Sequence, residues 1–129
     1  MIEIPTKARV LLSIAGVSLL LATIGGAVGS HALGDLDQRA LQSFDTAVQF
    51  LFFHGLALIA ITLVALRGIG GPWLWRSAWL LALGTLLFCG SIFLRTFGAP
   101  AGIVALAPYG GVILMVGWLV FAVSVWRRS

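Results

Sequence analysis

The chain has 129 residues, of which 60% are hydrophobic and only 9% carry a formal charge. Soluble domains usually contain about 25% charged residues, and a chain this small cannot bury so much apolar surface in water. The composition therefore excludes a water-soluble fold and predicts one membrane domain, residues 1–129, surrounded by the lipid bilayer. The net charge of +4 does not indicate nucleic-acid binding, because the basic residues lie at the ends of apolar segments.

The first predicted transmembrane helix covers about residues 10–32. It carries small residues four apart, and a second pair of glycines lies beside them: Ser18, Ala22, Gly26 and Ser30, with Gly25 and Gly29. Small residues at this spacing let a second helix approach closely, so that van der Waals contact holds the two together. The pattern predicts a helix-packing face, but it leaves open whether the partner is in the same chain or in another copy.

The next segment, Gly34 to Asp45, is the only one with clustered acidic residues. Asp35 followed by Gln38 resembles a capping box at a helix start. Apolar residues then recur at helical spacing up to Val48. Two interpretations follow: a short amphipathic helix lies on the outer membrane surface, or the second transmembrane helix begins early and projects into water.

The second predicted helix, residues 46–66, is expected to be the central one. It contains His54, the only ionisable side chain deep within an apolar segment. A polar group at that depth is costly in lipid unless it faces protein or water, so His54 is expected to face inward. Its role is either functional, as a proton relay, ligand contact or metal ligand, or structural, as a neutral histidine hydrogen-bonded to another helix.

Two more helices are predicted at about 77–97 and 108–126. A glycine-rich turn precedes the first, and an uncharged loop, Gly98–Ala107, separates the two and is expected in the headgroup layer or partly in the bilayer. Pro108 suits the first turn of the last helix, where its missing N–H costs nothing. Gly110 and Gly117 are seven apart and predict a smooth packing face on that helix.

The basic residues predict the orientation. Six of them flank one side of the four spans: Lys7, Arg9, Arg67, Arg76, Arg127 and Arg128. The other side has Arg39 and Arg95 with three aspartates. Because basic residues concentrate in cytoplasmic loops, both termini are predicted in the cytoplasm, and the protein in a bacterial inner membrane. The fold class is therefore all-α, a bundle of four transmembrane helices with a short amphipathic outer segment between the first two.

The remaining polar candidates are scattered. Asp45 and Gln49 share a helix face, and His54 lies about half a turn away from Asp45. Arg95 could pair with Asp45 or Asp35, but the favoured interpretation is that its side chain extends to the lipid headgroups. His31 lies at the outer end of the first helix, at a depth too different from that of His54 for both to bind one haem. No catalytic motif is present, and no cofactor or metal site is predicted.

Four segments together resemble a known family. They are GGAVGSHAL at 25–33, FDTAVQFLFFHGLAL at 44–58, LFCGSIFLRTFG at 87–98 and APYGGVILMVGW at 107–118. Their order and spacing are similar to the small inner-membrane proteins grouped as domain of unknown function 423. The resemblance implies a four-span plasma-membrane protein and no defined activity. Phe50 and Phe93 stand where the family pattern has tyrosine, so this member has no phenol at either position.

Three functions remain open on the sequence alone. The first is a non-enzymatic accessory or structural protein that forms a homo-oligomer or joins a larger membrane complex. The second is a pathway for a small solute, lined by His54, Thr46 and Ser91. The third is a redox or metal-binding subunit. No carboxylate lies within a span, which disfavours an ion-driven carrier.

Overall fold

The structure is a computed structural model that describes residues 3–127; Arg128, one of the predicted boundary charges, lies outside them. Within this range the chain forms four long helices: α1 Thr6–His31, α2 Gln38–Leu66, α3 Gly71–Thr96 and α4 Leu106–Ser124. All four are long and apolar enough to cross a membrane. Each begins two to eight residues before the predicted span. The spans were predicted from the apolar stretches alone, and the helices continue into the residues that precede them.

The helices pack in chain order, α1 on α2, α2 on α3 and α3 on α4. In the apolar stretches of α2 and α3, 44% of the residues are buried, against 22% in α1 and α4. The central position predicted for the second helix is therefore shared with α3. The reason is that α4 is seated on α3 and, within residues 3–127, has no close backbone neighbour in α1 or α2.

α1 packs on α2 through a row of residues, all small except Leu11, at alternating spacings of three and four: Ala8, Leu11, Ala15, Ser18, Ala22, Gly25 and Gly29. This heptad-like spacing is typical of left-handed helix crossing near +20°. A Cβ on Gly25 would lie 3.0 Å from Val48 Cγ2, and one on Gly29 would lie 3.1 Å from the Phe44 ring. Gly26 does not share this face with α2, since a Cβ there meets open space. A strict period of four moves around the helix and away from the face, so packing of Gly26 against another copy stays a prediction.

α3 and α4 approach more closely still. A Cβ on Gly84 would lie 2.9 Å from the Gly110 carbonyl oxygen, and one on Gly110 would lie 2.8 Å from the Gly84 carbonyl oxygen. About two turns further along α4, a Cβ on Gly117 would lie 2.9 Å from Leu81 Cδ2. The structure thus places Gly110 and Gly117 against α3. At Gly110 the neighbouring atoms belong to the α3 backbone, so only glycine fits there, whereas at Gly117 they belong to leucine side chains.

The segment between α1 and α2 is shorter than expected. α2 is continuous from Gln38, so the separate amphipathic segment is wrong, and the early start of the second helix is correct. The cap is Asp37 rather than Asp35: its side chain accepts a hydrogen bond from the Ala40 backbone N–H at 2.8 Å. No proline or glycine interrupts residues 38–54, so nothing separates a surface helix from the span.

Replacing Asp37 with alanine is expected to lower the free energy of unfolding by about 1 kcal/mol, because the first turn of α2 loses its side-chain cap. Asp35→Ala is the matched control, and it is expected to change stability by less than about 0.5 kcal/mol. The thermal midpoint of the purified protein in mild detergent measures both. A larger loss for Asp35→Ala than for Asp37→Ala would reverse the assignment.

α3 also starts early, at Gly71, so the residues expected to form a turn up to Arg76 are helical. The chain reverses instead in Arg67–Gly70, where Gly68 and Gly70 have φ of +83° and +77°. These left-handed values favour glycine. Pro72 fits the first turn of α3, since its nitrogen has no hydrogen to leave unpaired.

Basic side chains and indoles gather at one end of the molecule. Lys7 Nζ lies 4.3 Å from the centre of the Trp75 ring, and the guanidinium carbons of Arg76 and Arg127 lie 4.4 and 4.9 Å from that of Trp73. We call this the basic end. Both ends of the described chain and the α2–α3 turn meet there, as an even number of spans requires, while its location in the cytoplasm stays a prediction.

The uncharged loop before α4 is partly helical. Ala101–Ala105 forms a 3₁₀ turn with no buried residue, and it leads directly into α4. Pro108 lies in the first turn of α4, as predicted.

Candidate functional site

His54 occupies the interior of the molecule, in the middle of α2. Its side chain is 8% exposed, so the prediction that it faces inward is confirmed. Phe50 of α2 and Trp118 of α4 lie against its ring, and Phe88 of α3 packs on Phe50. We call the group His54, Phe50, Phe88 and Trp118 the histidine–tryptophan site.

Both nitrogens of the His54 ring have partners within the protein. Nδ1 lies 2.8 Å from the Phe50 carbonyl oxygen, and the Trp118 indole Nε1–H donates to Nε2 at 3.1 Å. A carbonyl oxygen only accepts and an indole N–H only donates, so the proton is on Nδ1 and the lone pair on Nε2. The ring is therefore the neutral tautomer, and neither nitrogen is available to another ligand in this arrangement.

Aromatic rings surround this pair. The Phe50 ring stacks on His54 at a centroid distance of 5.5 Å, and the Phe88 ring lies 4.7 Å from that of Phe50. On the other side, Phe121 meets Trp118 edge to face at 5.8 Å. These rings make the surroundings of His54 apolar, and in such surroundings an unpaired imidazole nitrogen would be costly.

Trp118 reaches His54 although α4 does not pack on α2. The close contact between α3 and α4 at Gly84 and Gly110 brings α4 near enough for the long indole to extend past α3. Trp118 itself is 39% exposed, so part of its ring faces outward. Sequence reasoning missed this residue. The position of Trp118 in the middle of the predicted span could have identified it, because a tryptophan away from the membrane boundary needs a hydrogen-bond partner for its N–H.

The other predicted site residues do not join this group. His31, Asp45 and Gln49 are exposed near the end opposite the basic end. Arg95 is also exposed, and it donates to the Ala99 carbonyl oxygen at 3.3 Å rather than to either candidate aspartate.

A cavity of about 1060 Å³ opens at the end opposite the basic end. Most of the charged side chains at that end line it: Asp35, Asp37, Arg39 and Arg95. Thr46 and Phe88 line this outer cavity, but His54 does not. Ser91 is buried, and its hydroxyl donates to the Phe88 carbonyl oxygen at 3.0 Å. The three residues of the solute-pathway hypothesis therefore do not line one continuous surface.

The donor groups for a metal are also dispersed. Among the residues that the structure describes, no three His, Cys, Asp or Glu side chains are placed to hold one ion. Cys89 is buried between α3 and α2, where its Sγ–H donates to the Ala47 carbonyl oxygen at 3.3 Å. This contact is consistent with the role of a small core residue.

Thr62 is the one buried side chain in the described range whose polar atom has no hydrogen-bond partner. Replacing it with valine is expected to raise stability by about 1 kcal/mol, because an unpaired hydroxyl is removed at nearly constant volume. Thr85→Val is the control, since Thr85 Oγ1 donates to the Leu81 carbonyl oxygen at 2.7 Å and its loss is not expected to stabilise. Thermal midpoints in detergent compare the two, and equal shifts would contradict the expectation.

These features define an integral, multi-pass α-helical membrane protein with a closed polar contact at its centre. A family model described as Protein of unknown function (DUF423) matches residues 25–111. The chain belongs to this family.

The curated relatives agree. A UPF0382 membrane protein of Haemophilus influenzae is 38% identical over 98 residues, covering 75% of this chain and 77% of the relative. The UPF0382 membrane protein YwdK of Bacillus subtilis is 31% identical over 119 residues, covering 90% and 95%. A relative in Schizosaccharomyces pombe is 33% identical over 121 residues, covering 82% and 92%. No solved structure matches significantly. The predicted family and multi-pass location in a bacterial membrane are confirmed.

Proposed function

We propose that this protein is a non-enzymatic accessory protein of the membrane and that His54 has a structural role. The observation that carries the proposal is that both ring nitrogens of His54 are occupied by groups of the same chain. A relay or ligand site needs at least one nitrogen that can exchange its partner. None of the relatives named above has an enzyme name, which fits the proposal at a coarser level.

The partners belong to the same proposal. α1 and α4 are the two outer helices, and most of their surface is exposed. Because α2 already occupies Gly25 and Gly29, a homo-oligomer or larger complex would use other faces of these helices. The solute-pathway alternative has less support, since His54 does not line the outer cavity. Phe88, which does line it, packs on Phe50, the ring that stacks on His54.

Flux measurements in liposomes test the proposal. The purified protein is reconstituted with a pH-sensitive dye inside, a proton gradient is imposed, and empty liposomes and an added protonophore serve as the two controls. Wild type and His54→Gln are both expected to match empty liposomes. A proton flux that depends on His54 would overturn the proposal, and so would a visible absorption band or a stoichiometric metal in the purified protein.

A further inference from the structure

A second cavity, of about 750 Å³, lies between α1 and α3 on the side of the molecule away from α4. We call it the α1–α3 groove. Leu51 and Leu58 of α2 form its floor. Exposed apolar side chains form its walls: Val10, Val17 and Leu21 of α1, and Leu83 and Leu86 of α3. Because these walls belong to spanning helices, the groove is exposed to lipid rather than to water.

One end of the groove differs from the rest. Arg9 and Trp79 line it near the basic end, where Lys7 of α1 also meets Trp75 of α3. Arg9 donates from Nε to the Ile4 carbonyl oxygen at 3.2 Å, which uses one of its five N–H groups. The groove therefore combines a cation and an indole at the membrane boundary with an apolar channel along the hydrocarbon core.

The length of the groove matches one leaflet. The lining residues extend from Arg9 to Leu21 on α1 and from Trp79 to Phe93 on α3, rises of about 18 and 21 Å, and one leaflet with its headgroups is about 20–22 Å thick. A ligand that fits has a phosphate at the level of Arg9 and an extended apolar chain beneath it. We propose that the α1–α3 groove binds one anionic phospholipid of the leaflet at the basic end, with an acyl chain in the groove and its phosphate at Arg9.

The walls favour a lipid chain over a second copy of this protein. Helices that associate within a membrane expose small residues, so that their backbones can approach. Small residues also line the groove, among them Ser13, Ala82 and Gly90, but exposed branched side chains stand beside them on both walls. These side chains hinder a close backbone approach, whereas a flexible acyl chain can follow them. This inference goes beyond the accessory role proposed above and does not depend on it, because it concerns a face of the molecule that His54 does not reach.

Native mass spectrometry with added phosphatidylglycerol tests the acyl-chain site. Gly90 lines the groove, and a Cβ there would have only an ordinary contact, 3.8 Å to Leu86 Cδ1, so Gly90→Leu fills the groove without a backbone clash. The matched control is Gly111→Leu on α4, where a Cβ meets nothing within 4 Å. Wild type and Gly111→Leu are expected to retain one lipid per chain, and Gly90→Leu to bind at least about tenfold more weakly.

The charge is tested separately. Arg9→Gln is expected to weaken phosphatidylglycerol binding about fivefold, the effect of one basic residue near an anionic surface, and to weaken phosphatidylcholine binding less, because the choline group offsets the charge of the phosphate. Arg67→Gln, at the same end but outside the groove, is the control. Equal lipid retention by wild type and Gly90→Leu would overturn the proposal. So would a dimer that Gly90→Leu converts to a monomer, because a second copy would then occupy the groove.

Discussion

Replacing Gly110 with alanine is expected to separate α4 from α3 and to lower the free energy of unfolding by about 3 kcal/mol. The new methyl group would lie against the Phe88 backbone nitrogen and 2.8 Å from the Gly84 carbonyl oxygen. Backbone atoms cannot rotate away as a flexible side chain can, so α4 itself has to move. Since Trp118 is carried by α4, its hydrogen bond to His54 is expected to be lost as well.

Gly111→Ala is the control, because it makes the same chemical change one residue later. A Cβ there meets nothing within 4 Å. It is expected to be neutral or to stabilise α4 by up to about 1 kcal/mol, since alanine is a better helix former than glycine. Thermal midpoints and size-exclusion profiles in mild detergent measure both variants. Equal stability of the two would mean that the α3–α4 contact is looser than described.

Replacing His54 with leucine is expected to lower the free energy of unfolding by about 2 kcal/mol. The change leaves the Trp118 indole N–H without its acceptor in a largely apolar region, and it removes the stacking on Phe50. The α2 backbone is not disturbed, because the Phe50 carbonyl oxygen can keep its helical partner. Steric trapping in bicelles measures the free energy of unfolding directly.

A double-mutant cycle with Trp118→Phe separates the pair from its surroundings. Phenylalanine keeps an aromatic ring but removes the N–H donor. If the two residues interact as described, the double variant is expected to be less destabilised than the sum of the single variants by about 0.6–1.7 kcal/mol, which are the average and the largest coupling energies for hydrogen bonds between membrane helices. Strict additivity would show that the contact contributes nothing to stability.

The sequence predicted much of the scaffold, and the reasons are local. In lipid, a run of about 20 uncharged apolar residues forms a helix, because a helix satisfies all its backbone hydrogen bonds internally. The four spans therefore follow from composition. The inward position of His54 follows from the cost of a polar group in hydrocarbon. Boundaries were less certain: Asp35 and Asp37 both resemble caps, and only the backbone path shows that Asp37 accepts from Ala40.

The site itself depended on contacts between distant residues. Periodicity shows which face of a helix is buried, but it does not identify the helix that covers it. That Gly25 and Gly29 pack on α2 rather than on another copy is decided by the order α1–α2–α3–α4.

By itself the sequence determined a four-span helical membrane protein with one histidine turned toward its interior. The reason is that unpaired backbone groups and lipid-facing polar side chains are both costly in hydrocarbon. Only the tertiary structure decided what that histidine meets. Trp118 lies 64 residues away in the chain, and its indole reaches Nε2 because glycines at 84 and 110 let α4 lie directly on α3.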